Sequence, residues 1–146
     1  MKRRRRTSHQ PAEHLGMKNA HMDRDCFKLR REVMQHVYHA KRLLRPLSIE
    51  LPRITVRITE FTRHDSGCLG VASLGDSVIW IPSTTITDGE YDLRSIVLHE
   101  ILHAAFSVGH VADCPMMGAY ALVKVGGYTP ALDQLFVDYC VNSRAI

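Results

Sequence analysis

Tyr91-Asp92-Leu93-Arg94-Ser95-Ile96-Val97-Leu98-His99-Glu100-Ile101-Leu102-His103-Ala104-Ala105-Phe106 is the stretch on which the reading of this chain turns. It is helical by length and content, with Thr87 or Asp88 available to cap its start. Inside it lies His99-Glu100-Ile101-Leu102-His103, the H-E-x-x-H pattern. Residues four apart stand on one face of a helix, roughly 6 Å apart along its axis. Two imidazoles so placed converge on one Zn²⁺ at about 2.0–2.1 Å each. Glu100, one residue on, is turned by ~100° and reaches a metal-bound water rather than the metal, where it serves as general base and proton shuttle. The plain alternative is a pair of ordinary surface histidines. Against it, the three ionisable residues interrupt an apolar helix of Ile96, Val97, Leu98, Ile101, Leu102, Ala104 and Ala105. Burying them there without a partner costs several kcal/mol, and a metal supplies the partner.

A catalytic zinc site normally takes three protein ligands and a water. No glutamate follows Glu100, so the downstream candidates are His110, Asp113, Cys114, Asp133 and Asp138. His110 stands first. On an unbroken helix it would lie about 10 Å beyond His103, but Gly109 can take φ > 0, end the helix and return the chain to the metal. The alternative role for His110 is a solvent-exposed residue at the helix end.

Upstream, apolar residues recur at Cys26, Leu29, Val33, Val37, Ala40 and Leu44, in steps of three and four that predict a helix over 25–45, ended by Pro46. Its basic outer side, with Lys28, Arg31 and Arg42, reads as a solvated face. Ile54, Val56 and Ile58 alternate with Thr55, Arg57 and Thr59, which predicts a half-buried strand over 53–61. His64-Asp65-Ser66-Gly67 marks a turn. Cys68 to Leu74 and Ser77 to Ile81, joined by Gly75-Asp76, read as a hairpin that Pro82 stops. The expected fold class is therefore α+β. A short mixed or antiparallel sheet packs on an N-terminal helix and the active-site helix, with a helix at the C-terminal end.

His99-Glu100-x-x-His103, then Gly109-His110, then Cys114-Pro115-Met116-Met117-Gly118-Ala119-Tyr120, resembles the metzincin zinc metallopeptidases, within them the matrixin-like group. The interval of seven from His103 to His110 is one longer than the family's. The resemblance implies a small single domain that binds Zn²⁺ through His99, His103 and His110 and uses Glu100 as catalytic base. It also implies a methionine turn at Met116 or Met117 beneath the metal. Tyr120, or alternatively Tyr128, would help to hold an oxyanion. Without the resemblance, the two methionines read as core fillers and Tyr120 as a residue at a core edge. Residues 128–139 look like the family's last helix. The family binds peptide along an edge strand; Ser77-Val78-Ile79-Trp80-Ile81 is the matching segment, although Trp80 equally suits a core. The specific part of the resemblance is confined to 99–120, within a general match over 24–141.

The 146 residues, 45% hydrophobic and 23% charged, suit one globular domain and exclude a disordered or fibrous chain. The net charge of +4 divides into 16 Lys/Arg against 6 Asp/Glu in residues 1–63 and 3 against 9 in residues 64–146. Five of the basic residues fall in positions 2–6. Residues 1–22 thus read as a basic flexible tail before a metallopeptidase-like domain over 23–146. The tail is a solvated end or, alternatively, binds nucleic acid or another acidic surface through residues 2–6. Thr7-Ser8-His9-Gln10 follows where a signal peptide needs an apolar stretch, and no run approaches the ~20 apolar residues that span a bilayer. Cys26, Cys68, Cys114 and Cys140 form no close pair and read as reduced thiols. These features predict a cytoplasmic protein. The expected activity is hydrolysis of a polypeptide substrate by a zinc endopeptidase. The rival readings are a non-catalytic, zinc-stabilised binding or assembly protein associated with a virion or nucleic acid, and an SprT-like DNA-associated protease.

Overall fold

Helix α1, Cys26–Leu44, forms where the three-and-four repeat of apolar residues predicts it. It buries Leu29, Val33, Val37, Ala40 and Leu44. A computed structural model describes residues 6–8, 26–59, 68–119 and 122–144 of the chain. Pro46 opens a 3₁₀ turn over Arg45–Leu47, and Ser48, left-handed at φ 55°, redirects the backbone toward the sheet.

The sheet is mixed. Strands β1 (Arg6–Ser8), β2 (Thr55–Thr59), β3 (Cys68–Ala72) and β4 (Val78–Pro82) lie in the order β1-β3-β4-β2. β2 runs parallel to β4 from Thr55 opposite Val78 to Thr59 opposite Pro82. β3 pairs with β4 in antiparallel fashion, Val71 opposite Trp80 and Ala72 opposite Ile79. The alternation read in β2 holds, with Val56 and Ile58 buried and Arg57 exposed between them. Val56, Ile58, Ile79 and Ile81 join the helices in one core. Arg57 and Trp80, register partners, turn to the other face, the guanidinium 5.8 Å from the indole ring centre.

The hairpin between β3 and β4 is present, but its second strand is not an edge. β4 lies between β2 and β3, and ladders on both sides engage its backbone groups. The expectation that 77–81 could accept a peptide as an added strand is therefore corrected. Periodicity predicts a strand but carries no information on how many neighbours it will have. On the other side of β3, Arg6–Ser8, read from the sequence as part of the tail, pairs in parallel with β3.

Four helices occur among the described residues: α1, the short α2 (Ser83–Asp88), α3 (Leu93–Phe106) and α4 (Pro130–Arg144). α2 follows β4 directly, and its Thr85 hydroxyl donates to the Leu69 carbonyl of β3 at 2.8 Å. Gly89, at φ 62°, terminates α2, so neither Thr87 nor Asp88 can cap the next helix. Asp92 takes that place, its carboxylate accepting from the Ser95 N–H at 2.9 Å. The far end of α3 is held by its neighbours. Gly75 and Ser77 of the hairpin turn donate N–H groups to the carbonyls of His103 and Ala104 at 3.0 and 3.1 Å. The Ser143 hydroxyl of α4 donates to Phe106 O at 2.8 Å. These bonds satisfy carbonyls that a helix end leaves without intrahelical partners. α4 closes the core with Leu132, Phe136 and Cys140, spaced by four on one face. Cys114 and Cys140 are free thiols, and no described helix is long and apolar enough to cross a membrane.

Candidate metal centre

α3 is apolar almost all round, because it runs through the middle of the domain with sheet, α1 and α4 packed about it. His99, Glu100 and His103 are consequently buried to 1% exposure or less. The i, i+4 spacing sets the two imidazoles together, ring centres 4.5 Å apart and Nε2 to Nε2 2.9 Å. The chain then returns and brings His110 beside both, its ring centre 5.3 Å from His99 and 4.9 Å from His103. One nitrogen from each of the three rings lies within 4.8 Å of the others.

The return is not made by Gly109, which is absent from the positive-φ residues. Ser107 makes it, left-handed at φ 56°, and both its N–H and that of Val108 donate to Leu102 O. A serine in this conformation carries no sequence signal as strong as glycine's, so the sequence points to Gly109 instead. The seven-residue interval nonetheless closes on the site.

Two backbone carbonyls orient the paired rings. His99 Nδ1 donates to Met116 O at 2.6 Å, and His103 Nδ1 donates to Val108 O at 2.5 Å. A carbonyl oxygen only accepts, so each Nδ1 carries the proton and a neutral ring presents the Nε2 lone pair. The two Nε2 atoms face each other at 2.9 Å, a separation bridged either by a proton on one of them or by a metal ion bound to both. Backbone acceptors behind ligating histidines are the usual support of a metal site. The donor set of three imidazoles suits Zn²⁺, whose bonds of about 2.0–2.1 Å place tetrahedral ligand nitrogens roughly 3.3 Å apart. The residues therefore fit a bound metal ion.

Glu100 points elsewhere, as the ~100° offset requires. Both carboxyl oxygens are buried, with no hydrogen-bond partner among the described residues. Burial raises the carboxyl pKa well above the usual carboxylate range. Its room is made by Gly70 of β3, where a Cβ would stand 3.0 Å from Glu100 Oε2 and 3.1 Å from Ile81 Cδ1. In the sequence, Gly70 carries a single cue, a glycine inside an apolar strand.

Met116 and Met117 are both buried, and their main chains act at the site. Met116 O receives the His99 proton, and Met117 O accepts from the Val111 N–H at 2.8 Å, fixing the chain after His110. Cys114 Sγ accepts from Met117 N–H at 3.3 Å and from the Tyr139 hydroxyl at 3.1 Å, bracing the same loop against α4. The remaining candidate ligands are placed away from the histidine cluster. Asp113 is exposed, Asp138 accepts from Gln134 at 2.9 Å, and Asp133 takes His39 at 2.8 Å together with the Tyr128 hydroxyl. That bond, with Arg94 stacked 4.8 Å from the Tyr128 ring centre, engages Tyr128 between α3 and α4. Tyr120 lies outside the described residues, as do residues 2–5 of the basic run.

Compared with known proteins, the chain matches no family model, no curated protein and no solved structure at a significant level.

Proposed function

We propose that the protein is a zinc-dependent metallopeptidase. The observation that carries this reading is the convergence of His99, His103 and His110 on one point, with the carboxyl of Glu100, on the same helix, buried and without a hydrogen-bond partner among the described residues. His99, His103 and His110 hold the ion. When bound, zinc polarises the scissile carbonyl and acidifies the attacking water. Glu100 takes the proton of that water and hands it to the departing amine, so the amine leaves neutral and the carboxylate is regenerated. A divalent ion held by the three histidines would favour the ionised carboxylate that this role needs, against the effect of burial. Met116 O and Val108 O keep the two buried imidazoles in the tautomer that offers Nε2.

Glu100→Gln tests the reading. It preserves shape and leaves the three imidazoles in place, so zinc content stays near one ion per chain. Cleavage of an unfolded protein substrate falls by about 10²–10⁴-fold, the usual contribution of a general base. Retention of full chelator-sensitive activity in that variant removes Glu100 from the mechanism. Absence of chelator-sensitive cleavage in the zinc-loaded parent removes the peptidase reading itself.

A further inference from the structure

The outer side of α1 is basic, and the core makes no use of it. Leu29, Val33, Val37, Ala40 and Leu44 hold the helix against the sheet and α3. Opposite them, Arg31, Gln35, Tyr38 and Arg42 follow at i, i+4, i+7 and i+11, so they share one line along the helix. All four are exposed. Arg45, exposed in the 3₁₀ turn, extends the line, and exposed Lys28 and Lys41 flank it. Lys41 Nζ lies 5.5 Å from the Tyr38 ring centre. Glu32 is the one acid of the helix, and Glu50 is the next along the chain. Among the described residues no acid pairs with Arg31, Arg42 or Arg45. The other exposed acids sit elsewhere: Asp76 in the hairpin turn, Asp88 at the end of α2, Asp113 after His110 and Asp138 on α4. A polyanion is therefore drawn to α1 and held off by those elements.

From this line of side chains we infer that the outer side of α1 docks in the major groove of double-stranded DNA. The surface is independent of the peptidase reading, because α1 supplies none of the three clustered histidines. Its shape suits the groove. A helix with its side chains is about 10–12 Å across, and the major groove is about 12 Å wide. From Arg31 to Arg42 the line runs about 16 Å, the length of about five base pairs. Its residue types suit the groove as well. Arginine bonds the edge of guanine and glutamine that of adenine, while lysine and the tyrosine hydroxyl reach phosphates. Other polyanionic surfaces fit less well. A lipid surface is met by large apolar side chains, but the exposed Phe27 and Leu47 stand at opposite ends of this segment and form no continuous face. A single strand is held in a basic groove with stacking platforms, whereas α1 is a convex rod. The major groove of A-form RNA is too narrow to admit it.

The test uses the zinc-loaded full chain and a fluorescent DNA duplex of about 20 base pairs and mixed sequence, with binding read by anisotropy between about 50 and 200 mM salt. The parent is expected to bind, and its affinity to fall steeply as salt rises. Arg31→Gln/Arg42→Gln should weaken binding by about tenfold at low salt and make the log–log salt slope shallower by about 1–2. Tyr38→Ala changes no charge, so it should weaken binding several-fold with the slope unchanged, as a contact does and a distant field does not. Lys124→Gln removes an exposed cation away from α1 and should leave binding as in the parent. Every substituted side chain is exposed, so zinc content and Tm should match the parent's in all three. Deletion of residues 2–5 should leave most of the affinity in place. Equal binding by the parent and Arg31→Gln/Arg42→Gln, no effect of Tyr38→Ala, or loss of binding on deletion of 2–5 alone overturns the inference. So does tighter binding to the single strand, to an RNA duplex or to vesicles containing phosphatidylserine, and so does failure of the parent to bind the DNA duplex. Casein cleavage is measured separately, and none of these outcomes bears on it.

Discussion

Gly70 illustrates how much a single position can decide. A Cβ there would stand 3.0 Å from Glu100 Oε2 and 3.1 Å from both Glu100 Cγ and Ile81 Cδ1, closer than side-chain carbons normally approach. The carboxyl and the isoleucine are both fully buried, so neither can swing into solvent to relieve the contact. Gly70→Ala is therefore expected to destabilise the fold by ~1–3 kcal/mol, the usual range for overpacking. On the proposed reading it should also lower kcat with zinc content unchanged, because Glu100 would act as the base and not as a ligand. Urea unfolding, metal analysis and turnover measured on the same preparation check this, and unchanged kcat would show that the carboxyl tolerates the shift. The histidines depend in the same way on atoms that are not side chains. The tautomers of His99 and His103 are set by the carbonyls of Met116 and Val108, which any residue at those positions would supply.

At the scale of the element, α3 is the part whose boundaries matter most. Its start rests on Asp92, whose carboxylate caps Ser95 while its own N–H donates to Val123 O at 2.6 Å. Asp92→Ala is expected to cost about 1 kcal/mol in chemical denaturation, the usual effect of removing an N-cap acceptor. No loss would mean that the bond between strand-like segments at 92 and 123 suffices. α1 carries a different kind of liability. His36 is half-buried between α1 and the start of α3, and its pKa is lowered to about 4, first by burial and then by Arg94 and His39, with Asp92 opposing. The unfolded chain takes up this proton near pH 6.5, whereas the folded chain resists until about pH 4. Stability is thus intact above pH 6.5 and falls as the pH drops from there toward 4. Metal-free parent and His36→Gln protein, unfolded side by side at pH 7.5 and pH 5, isolate the effect. The parent should lose more stability on acidification than the variant, and equal losses would assign the pH dependence to other groups.

For the whole molecule, the three histidines join the middle of the domain to the loop that follows α3, so a bound ion would add a further tie between segments already held by hydrogen bonds and core packing. With free zinc at about 100 times its Kd, binding adds ~2.7 kcal/mol to stability, or roughly 5–10 °C in Tm for a chain of this size. Chelation should remove that increment in a calorimetric scan. A His103→Ala chain should show the same Tm with and without zinc, and a persisting zinc shift there would place the ion elsewhere. Much of this architecture is legible along the chain. The buried face of α1, the alternation in β2, the hairpin at Gly75 and the His99–His103 pair all follow from periods of 3.6, 2 and 4, which the backbone geometry of each element imposes on its own residues. What only the tertiary structure decided is of another kind. The interior place of β4, the pairing of Arg6–Ser8 with β3, the turn at Ser107 and the carbonyls behind the imidazoles all join residues across the fold or depend on main-chain atoms. Every residue carries the same carbonyl, and a strand has the same period at an edge as in the middle. Those choices therefore leave no mark in residue type or spacing, and packing of the complete chain selects among them.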